Sequence, residues 1–154
     1  MRLYRICRSL HGPTAYSGAG ALTTSGRWHH KGTRIVYTAS SLALATLELR
    51  VHLPTEPTLT DFVFVPADVP DDIQPEEHCG APLPAGWDAL PAPDSCQRLG
   101  TAWVRKGRRL ITRVPSAVLP GESNYLLNPA HPDFSRVVIH PPQPLRLDPR
   151  LWRS

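Results

Sequence analysis

Glu48 is the acid whose position most needs a chemical explanation. It follows Leu44 by four residues and precedes Val51 by three, so helical spacing places it within an apolar stripe. An unpaired carboxylate is costly to bury, so Glu48 needs a partner, a ligand or a proton. Such a group can hold a ribose hydroxyl and stabilise an oxocarbenium-like cation. An ion pair with Arg50 or Arg34 at the domain edge is the structural alternative.

Arg27 directly follows Gly26 near the end of a loop rich in Gly, Ser and Thr that spans residues 11–32. A guanidinium in such a loop can grip a diphosphate through two parallel hydrogen bonds, and nearby glycines let backbone amides approach the same anion. The glycines do not form a GxGxxG pattern between a strand and a helix, so they do not indicate a Rossmann fold. A surface arginine on a loop is an equally good interpretation.

The local pattern alone favours structural roles for the remaining polar candidates. Ser123, Asn124 and Asn128 lie in a polar stretch of a kind that usually caps a helix or closes a turn. No GxSxG pattern surrounds Ser123, so a hydrolase triad is not supported. Tyr37 lies in a β-branched, aromatic run typical of a core strand.

Short strands and helices must position these residues. Strands are predicted at Leu3–Arg8, Arg34–Ala39, Thr58–Pro66, Arg109–Val114, Ser116–Leu119 and Phe134–His140. Helices are predicted from a cap at Ser40 or Ser41 to about His52, where Pro54 stops the first, and at Ser95–Gly107. Residues 121–129 are predicted as a polar turn that leads into an apolar patch. Residues 66–97, rich in acids and prolines, are predicted as an excursion without regular structure. The predicted fold is α/β (α+β), one domain over residues 1–154 with a short, bent mixed sheet and few helices.

Composition limits the class of protein. The chain has 154 residues, 41% of them hydrophobic, and 18 prolines, which favour loops and short elements. No apolar run could cross a bilayer, and the amino terminus lacks a signal-peptide pattern, so a cytoplasmic location is expected. The three cysteines fit no disulfide framework, and we expect reduced thiols. The His29–His30 and His78–Cys79 pairs are too scattered for a zinc site, and no metal is expected.

Charge is unevenly distributed along the chain. Residues 51–97 hold nine acids and no Lys or Arg, whereas the rest holds all 17 basic residues, 15 of them Arg. A basic body could face a pyrophosphate, a nucleic acid or an acidic partner, or could simply be solvated. A nucleic-acid-binding protein or ribonuclease is therefore an alternative, with His29, His30 and Lys31 nearby. The absence of helix-turn-helix, RNP and basic–aromatic patterns disfavours it, and no direct nucleic-acid contact is expected.

Taken in order, several segments resemble the RES-domain family. They cover roughly residues 2–140. They are Tyr4-Arg5, Ser17–Ala21, Gly26–Gly32, Val36–Ser40, Leu42–Glu48, Val51–Leu53, Ser123–Pro129 and His131-Pro132. The resemblance implies an ADP-ribosyltransferase-like fold. It also implies a toxin of a bacterial toxin–antitoxin pair that binds NAD⁺ as its substrate and breaks the nicotinamide–ribose bond. The reaction would deplete cellular NAD⁺ by hydrolysis or phosphorolysis, or it would transfer the ADP-ribose to a protein.

The resemblance also assigns residues and partners. It implies that Arg27, Glu48 and Ser123 are the catalytic set, with Tyr37 lining the nicotinamide pocket. Supporting contacts to NAD⁺ would come from Asn124, Asn128 and Arg5. The presence of the full set argues against a catalytically inactive binding protein. The implied partner is an Xre-type antitoxin that binds DNA and covers the active-site entrance, and the family pattern allows a toxin dimer within the larger complex. The family often has Asn where His29 follows Trp28, which is the main departure.

Overall fold

The structure is a computed structural model that describes residues 1–53 and 61–152. Its strands are β1 (Arg2–Arg8), β2 (Val36–Ala39), β3 (Phe62–Asp68), β4 (Glu76–Glu77), β5 (Ile111–Pro115), β6 (Ser123–Leu127), β7 (Val138–Ile139) and β8 (Gln143–Pro144). Its α-helices are α1 (Leu42–His52) and α2 (Asp94–Lys106), and short 3-10 helices connect several elements. This arrangement confirms the predicted mixed α/β fold with a short sheet and few helices. None of the described helices is long and apolar enough to cross a membrane.

The sheet runs in the order β4-β5-β6-β2-β1-β3-β7, with β8 also paired to β3. The pairings are antiparallel except β4 with β5. Strand β1 pairs with β3 along its whole length but meets β2 at one register position, Tyr4 opposite Ala39. Strands β1 and β2 therefore diverge in the middle of the sheet.

The two faces of the sheet carry different layers. Leu3, Val36 and Leu127 are fully buried on one face, in a core closed by Tyr16. Because side chains alternate along a strand, Tyr37 and Ala39 point to the opposite face. There Ala39 packs under α1, and Tyr37 packs in a second cluster against α2.

Helix α1 begins as predicted, but its buried face is not the predicted stripe. The Ser41 hydroxyl caps the helix by accepting from the Leu44 amide over 3.1 Å. Leu44 is buried, yet Leu47 is 36% exposed and Val51 is 54% exposed. The helix instead turns its other apolar side chains toward β3 and the carboxyl-terminal segment, so its contacts are made by Leu42, Leu49 and Leu53. The predicted stop at Pro54 and residues 58–60 of the next predicted strand lie outside the described residues.

Three other predictions are wrong for identifiable reasons. The predicted turn at residues 121–129 contains β6, an inner strand whose polar beginning conceals its buried end at Leu126 and Leu127. The predicted strand at Ser116–Leu119 is a turn, because the Ser116 hydroxyl accepts from two amides within it. The predicted strand at Phe134–His140 begins inside a 3-10 helix, Pro132–Arg136, that the His131 ring caps, and only Val138–Ile139 pairs as a strand.

The acid-rich segment is also more ordered than predicted. Residues 66–97 contain the end of β3, the short strand β4, a 3-10 helix at His78–Gly80 and the first turn of α2. Several of its acids form ion pairs with basic side chains. The ion pairs are Asp68 with Arg2, Asp72 with Arg136, Glu77 with Arg113, and Asp94 with Arg98 and His30. Exposed pairs of this kind contribute about 0–1 kcal/mol each, so they compensate charge more than they stabilise the fold.

Candidate active site

Glu48 lies on α1 with one carboxylate oxygen fixed by two hydrogen bonds. Oε1 accepts from the Ser116 hydroxyl over 2.8 Å and from the Asn124 amide over 2.5 Å. No described residue donates to Oε2. The alternative ion pairs do not form, since Arg50 and Arg34 donate instead to backbone carbonyls. Glu48 therefore has one anchored oxygen and one oxygen open to a ligand.

Ser116 was not predicted as a site residue, and it is the serine that holds Glu48. Its side chain is almost completely buried. The amides of Val118 and Leu119 donate to its oxygen over 3.1 and 3.0 Å, so its own proton is left for Glu48. Only its position directly after Pro115, at the end of a strand, could have singled it out in the sequence.

Ser123 and Asn124 begin β6, where they face different sides. Asn124 pairs with Ala39 and bonds Glu48. Strand alternation turns the neighbouring Ser123 away from α1, and its hydroxyl bonds no described residue. As a member of the implied catalytic set, Ser123 could orient Glu48 or bond the ribose. Ser116 and Asn124 orient Glu48 instead, and the bond to ribose stays a prediction.

Asn128 is not brought to the carboxylate. It is 2% exposed, its Nδ2 donates to the Val104 carbonyl over 3.2 Å, and its Oδ1 accepts from the Ala130 amide over 3.1 Å. Both ends of its amide are thus engaged in joining α2 to the chain after β6. This placement favours a structural role over the predicted contact with NAD⁺.

Arg27 is anchored along one edge of its guanidinium. Nη1 donates to the carbonyls of Trp87 and Ala89 over 2.6 and 2.9 Å. The two hydrogens of Nη1 are then used, while Nε and Nη2 bond no described acceptor. These two nitrogens form the edge that suits bidentate contact with an oxyanion. The acid-rich segment, which had no predicted role, therefore positions the arginine.

Tyr37 holds the backbone around Arg27. Its hydroxyl accepts from the Trp28 amide over 3.1 Å and lies 2.7 Å from Nδ1 of His29. Burial raises the pKa of Tyr37, so its hydroxyl stays protonated. The predicted place of Tyr37 in the nicotinamide pocket stays a prediction. The ring would have to make that contact, because the loop engages the hydroxyl.

Helix α2 fixes the other side of the same loop. Gln97 donates to the Gly26 carbonyl over 3.0 Å, and Thr101 accepts from the His30 amide over 2.9 Å. A Cβ on Gly100 would lie 1.8 Å from the Trp28 carbonyl oxygen, so only glycine lets the helix approach this closely. The Trp28 ring also stacks on Trp87 with centroids 6.3 Å apart.

Arg5 lies at the point where strands β1 and β2 stop pairing and diverge. Its Nη1 donates to the Tyr37 carbonyl over 3.0 Å, one position beyond the single β1–β2 register pair. Its Nε is buried and has no partner among the described residues. Burial lowers the pKa of Arg5. An anionic ligand at this gap would supply the missing acceptor.

Strand β2 brings the two halves of the site together. Tyr37 contacts the Arg27 loop, and Ala39 pairs with Asn124 beside Glu48. These two strand residues share a face and are separated by about 7 Å along the strand. The anchored carboxylate and the anchored guanidinium loop therefore border one region of the sheet. Among the described residues, no three His, Cys, Asp or Glu side chains cluster closely enough to hold a metal ion.

Comparison with known proteins gives consistent matches. The RES domain profile matches residues 2–148. The Prs ADP-ribosylating toxin of Sphingobium sp. (strain YBL2) is 41% identical over 140 residues, covering 90% of this chain and 87% of that protein. Toxin Res of Yersinia enterocolitica is 38% identical over 157 residues, covering 98% of this chain and 99% of that protein.

The fold also matches a solved structure. The crystal structure of the M. tuberculosis MbcT–MbcA toxin–antitoxin complex contains a chain that aligns with a TM-score of 0.64 and 17% identity. The alignment covers 98% of this chain and 86% of that one. At this identity the likeness concerns the fold alone.

Proposed function

The chain belongs to the RES-domain family, and from that premise we propose that it is a toxin of a bacterial toxin–antitoxin pair that cleaves NAD⁺ at the nicotinamide–ribose bond. The observation that carries this proposal is the hydrogen bonding of the Glu48 carboxylate, in which only Oε1 has donors among the described residues. A carboxylate with one oxygen anchored and the other open suits the stabilisation of a positive charge on a sugar.

In the proposed reaction the C–N bond between ribose and nicotinamide breaks, and the bonding electrons leave with nicotinamide. Positive charge then develops on the ribose ring. Oε2 of Glu48 accepts a hydrogen bond from a ribose hydroxyl or faces this charge directly. Ser116 and Asn124 keep the carboxylate in place. Water adds to the cation to give ADP-ribose and a proton, or phosphate adds to give ADP-ribose 1″-phosphate.

Two arginines suit the anionic part of the substrate. The open Nε and Nη2 edge of Arg27 would bind the pyrophosphate. The unpartnered Nε of Arg5 would donate to a second anionic or carbonyl oxygen. The Tyr37 ring would lie against the cationic nicotinamide.

Transfer of ADP-ribose to a protein is the second candidate. The relative named Prs ADP-ribosylating toxin, 41% identical over most of both chains, supports it. Isotopically labelled NAD⁺ added to a bacterial lysate with the purified chain separates the two outcomes. Protein-bound label favours transfer, and free ADP-ribose or its 1″-phosphate favours NAD⁺ depletion.

An antitoxin partner is proposed on two grounds. The chain that shares this fold was solved in a toxin–antitoxin complex. In addition, Leu47, Val51 and Leu119 are exposed apolar residues. Leu47 and Val51 flank Glu48 on α1, and the Leu119 amide donates to the Ser116 hydroxyl that holds Glu48. We define these three residues as the apolar rim of the site. An Xre-type antitoxin seated on this rim would cover the carboxylate.

Expression in bacteria tests the proposed function as a whole. Cellular NAD⁺ should fall within minutes to hours of induction and growth should stop. The chain carrying Glu48→Ala should leave both unchanged at the same protein level. Equal loss of NAD⁺ in both cultures would overturn the proposal.

A further inference from the structure

His29 is the buried ionisable side chain of the Arg27 loop, and the proposed chemistry gives it no task. It is 4% exposed, and both ring nitrogens are within hydrogen-bond distance of a partner. Nδ1 lies 2.7 Å from the Tyr37 hydroxyl, and Nε2 lies 2.9 Å from the Thr24 carbonyl oxygen. The ring therefore joins the loop to strand β2.

The partners determine which nitrogen carries the proton. The Thr24 carbonyl can only accept, so Nε2 must donate to it. In a neutral ring Nδ1 is then an acceptor, and the Tyr37 hydroxyl donates to it. The hydroxyl oxygen in turn accepts from the Trp28 amide, so the chain of bonds runs in one direction from Trp28 to Thr24.

This chain of bonds brackets Arg27. Gly26 and His29 form a β-bridge in which the Gly26 amide donates to the His29 carbonyl over 3.1 Å. A Cβ on Gly26 would lie 2.7 Å from the Tyr37 hydroxyl oxygen and 2.8 Å from Cε1 of His29. The residues on both sides of Arg27 are thus held against the Tyr37–His29 pair.

We propose that neutral His29 is a positioning residue for NAD⁺ binding. Its Nδ1 accepts a hydrogen bond from the Tyr37 hydroxyl and thereby holds the loop that presents the open edge of Arg27 to the pyrophosphate. The inference rests on the proposed function. It requires Nδ1 of His29 to accept and Nε2 to donate a hydrogen bond, although His29 itself does not touch the substrate.

The surroundings of His29 predict how pH acts on this arrangement. A protonated ring has two donors and no acceptor, so the buried Tyr37 hydroxyl proton would lose its partner. Positive charge on the ring is also disfavoured by His30, the next residue of the same loop. The other titratable or charged groups nearby are Asp94 on α2, which lies 2.7 Å from the His30 ring, and Cys79, Arg27 and Arg5, which surround Tyr37. Burial lowers the pKa of His29 from the ordinary value of about 6.5, so NAD⁺ binding should weaken only at a more acidic pH, as pH falls through that lowered pKa.

Steady-state kinetics of nicotinamide release by the purified chain test the proposal. His29→Phe keeps a ring of similar size but removes both hydrogen bonds, and we expect the KM for NAD⁺ to rise about tenfold or more with kcat within threefold. His29→Asn restores an acceptor near Nδ1 without a titratable ring. It should bring KM back to within about threefold of the parent chain and abolish the rise of KM in acid. His11→Phe, at an exposed histidine, is the matched control and should change nothing.

Nicotinamide riboside, which lacks the pyrophosphate, separates positioning from misfolding. His29→Phe should cleave it with the parent's kcat/KM, because Arg27 has no phosphate to hold. An equal loss of kcat/KM for NAD⁺ and for nicotinamide riboside in His29→Phe would overturn the inference. A rise of KM at low pH that persists in His29→Asn would also overturn it. Failure of the parent chain to release nicotinamide would instead overturn the proposed function. In that case the affinity of each variant for ADP-ribose decides the role of His29, and unchanged affinity in His29→Phe would overturn it.

Discussion

The Ser116 hydroxyl donates a 2.8 Å hydrogen bond to Oε1 of Glu48, joining two residues 68 positions apart in the sequence. The two amides that donate to the same hydroxyl oxygen leave its proton only this acceptor. Ser116 therefore fixes the orientation of the carboxylate, whereas the family resemblance implies that Ser123 is the serine of the catalytic set.

The two serines can be distinguished by kinetics. Ser116→Ala should lower kcat for NAD⁺ cleavage about tenfold, because one hydrogen bond to a charged group is lost. Ser123→Ala should lower kcat less than this, since its hydroxyl does not contact Glu48 and its predicted contact is with a ribose hydroxyl. Parallel measurement of nicotinamide release by both variants checks this prediction. A larger fall of kcat in Ser123→Ala than in Ser116→Ala would contradict it.

Arg27 should govern substrate affinity. Arg27→Lys keeps the charge but cannot bond two carbonyls along one edge and an oxyanion along the other. We expect the KM for NAD⁺ to rise about ten- to a hundredfold with a small change in kcat. Arg34→Lys is the control, because Arg34 is exposed and its Nη1 bonds the Ser17 carbonyl. Similar KM values in the two variants would argue against pyrophosphate binding by Arg27.

The contact of α2 with the loop should be sensitive to a single methyl group. In Gly100→Ala the new Cβ would meet the Trp28 carbonyl oxygen at 1.8 Å, and neither backbone can yield easily. The free energy of unfolding should fall by about 1–3 kcal/mol or more, measured by urea titration. Gly20→Ala, where nothing lies within 4 Å, should change it by less than about 0.5 kcal/mol. Equal stability of the two variants would show that the helix does not approach the loop as described.

Asp68 should contribute to stability against acid. Hydrogen bonds from Arg2 and His140 hold the pKa of its carboxyl well below the ordinary value. A depressed pKa in the folded state gives stability that is present above the unfolded pKa of about 3.8 and is lost as pH falls below it. The unfolding temperature of Asp68→Asn should therefore depend less steeply on pH below 4 than that of the parent. Asp88→Asn, at an exposed acid, is the control, and identical slopes in all three proteins would contradict the assignment.

The apolar rim should matter for partner binding and not for chemistry. Val51→Asp places a charge on a side chain that is 54% exposed beside Glu48. It should weaken capture of a co-expressed antitoxin at least tenfold while nicotinamide release stays within threefold. Val138→Asp, at a 56% exposed valine on edge strand β7, is the matched control. Loss of capture in the control alone would place the partner elsewhere.

The sequence predicts the elements whose patterns are local. Strand β1, helix α1 with its Ser41 cap and helix α2 were each located to within one or two residues. Strand β6 was missed because its polar first half serves the site while only Leu126 and Leu127 show the buried pattern. Hydrophobic periodicity describes packing, so it fails where side chains are kept polar for chemistry.

The residues of the candidate site also differ in how far the sequence predicts them. Glu48 could be selected because its predicted spacing placed it among apolar residues, although Leu47 and Val51 of that stripe are exposed. Tyr37 and Ser123 could be selected only from the family resemblance. The anchors of Arg27 at Trp87 and Ala89, and the Ser116 contact with Glu48, are long-range, separated by 60, 62 and 68 positions. No spacing rule along the chain connects residues so far apart, and only the folded sheet brings them together.

The most direct test of the account is the rate of nicotinamide release from NAD⁺ by the purified chain and by its Glu48→Gln variant. The amide oxygen of Gln can still accept from Ser116 and Asn124, so the fold should be retained and the unfolding temperature unchanged. Only the negative charge that stabilises the ribosyl cation is removed. We expect the variant to be at least about a hundredfold slower at saturating NAD⁺. Release at the parent's rate by a folded Glu48→Gln protein would contradict the central claim.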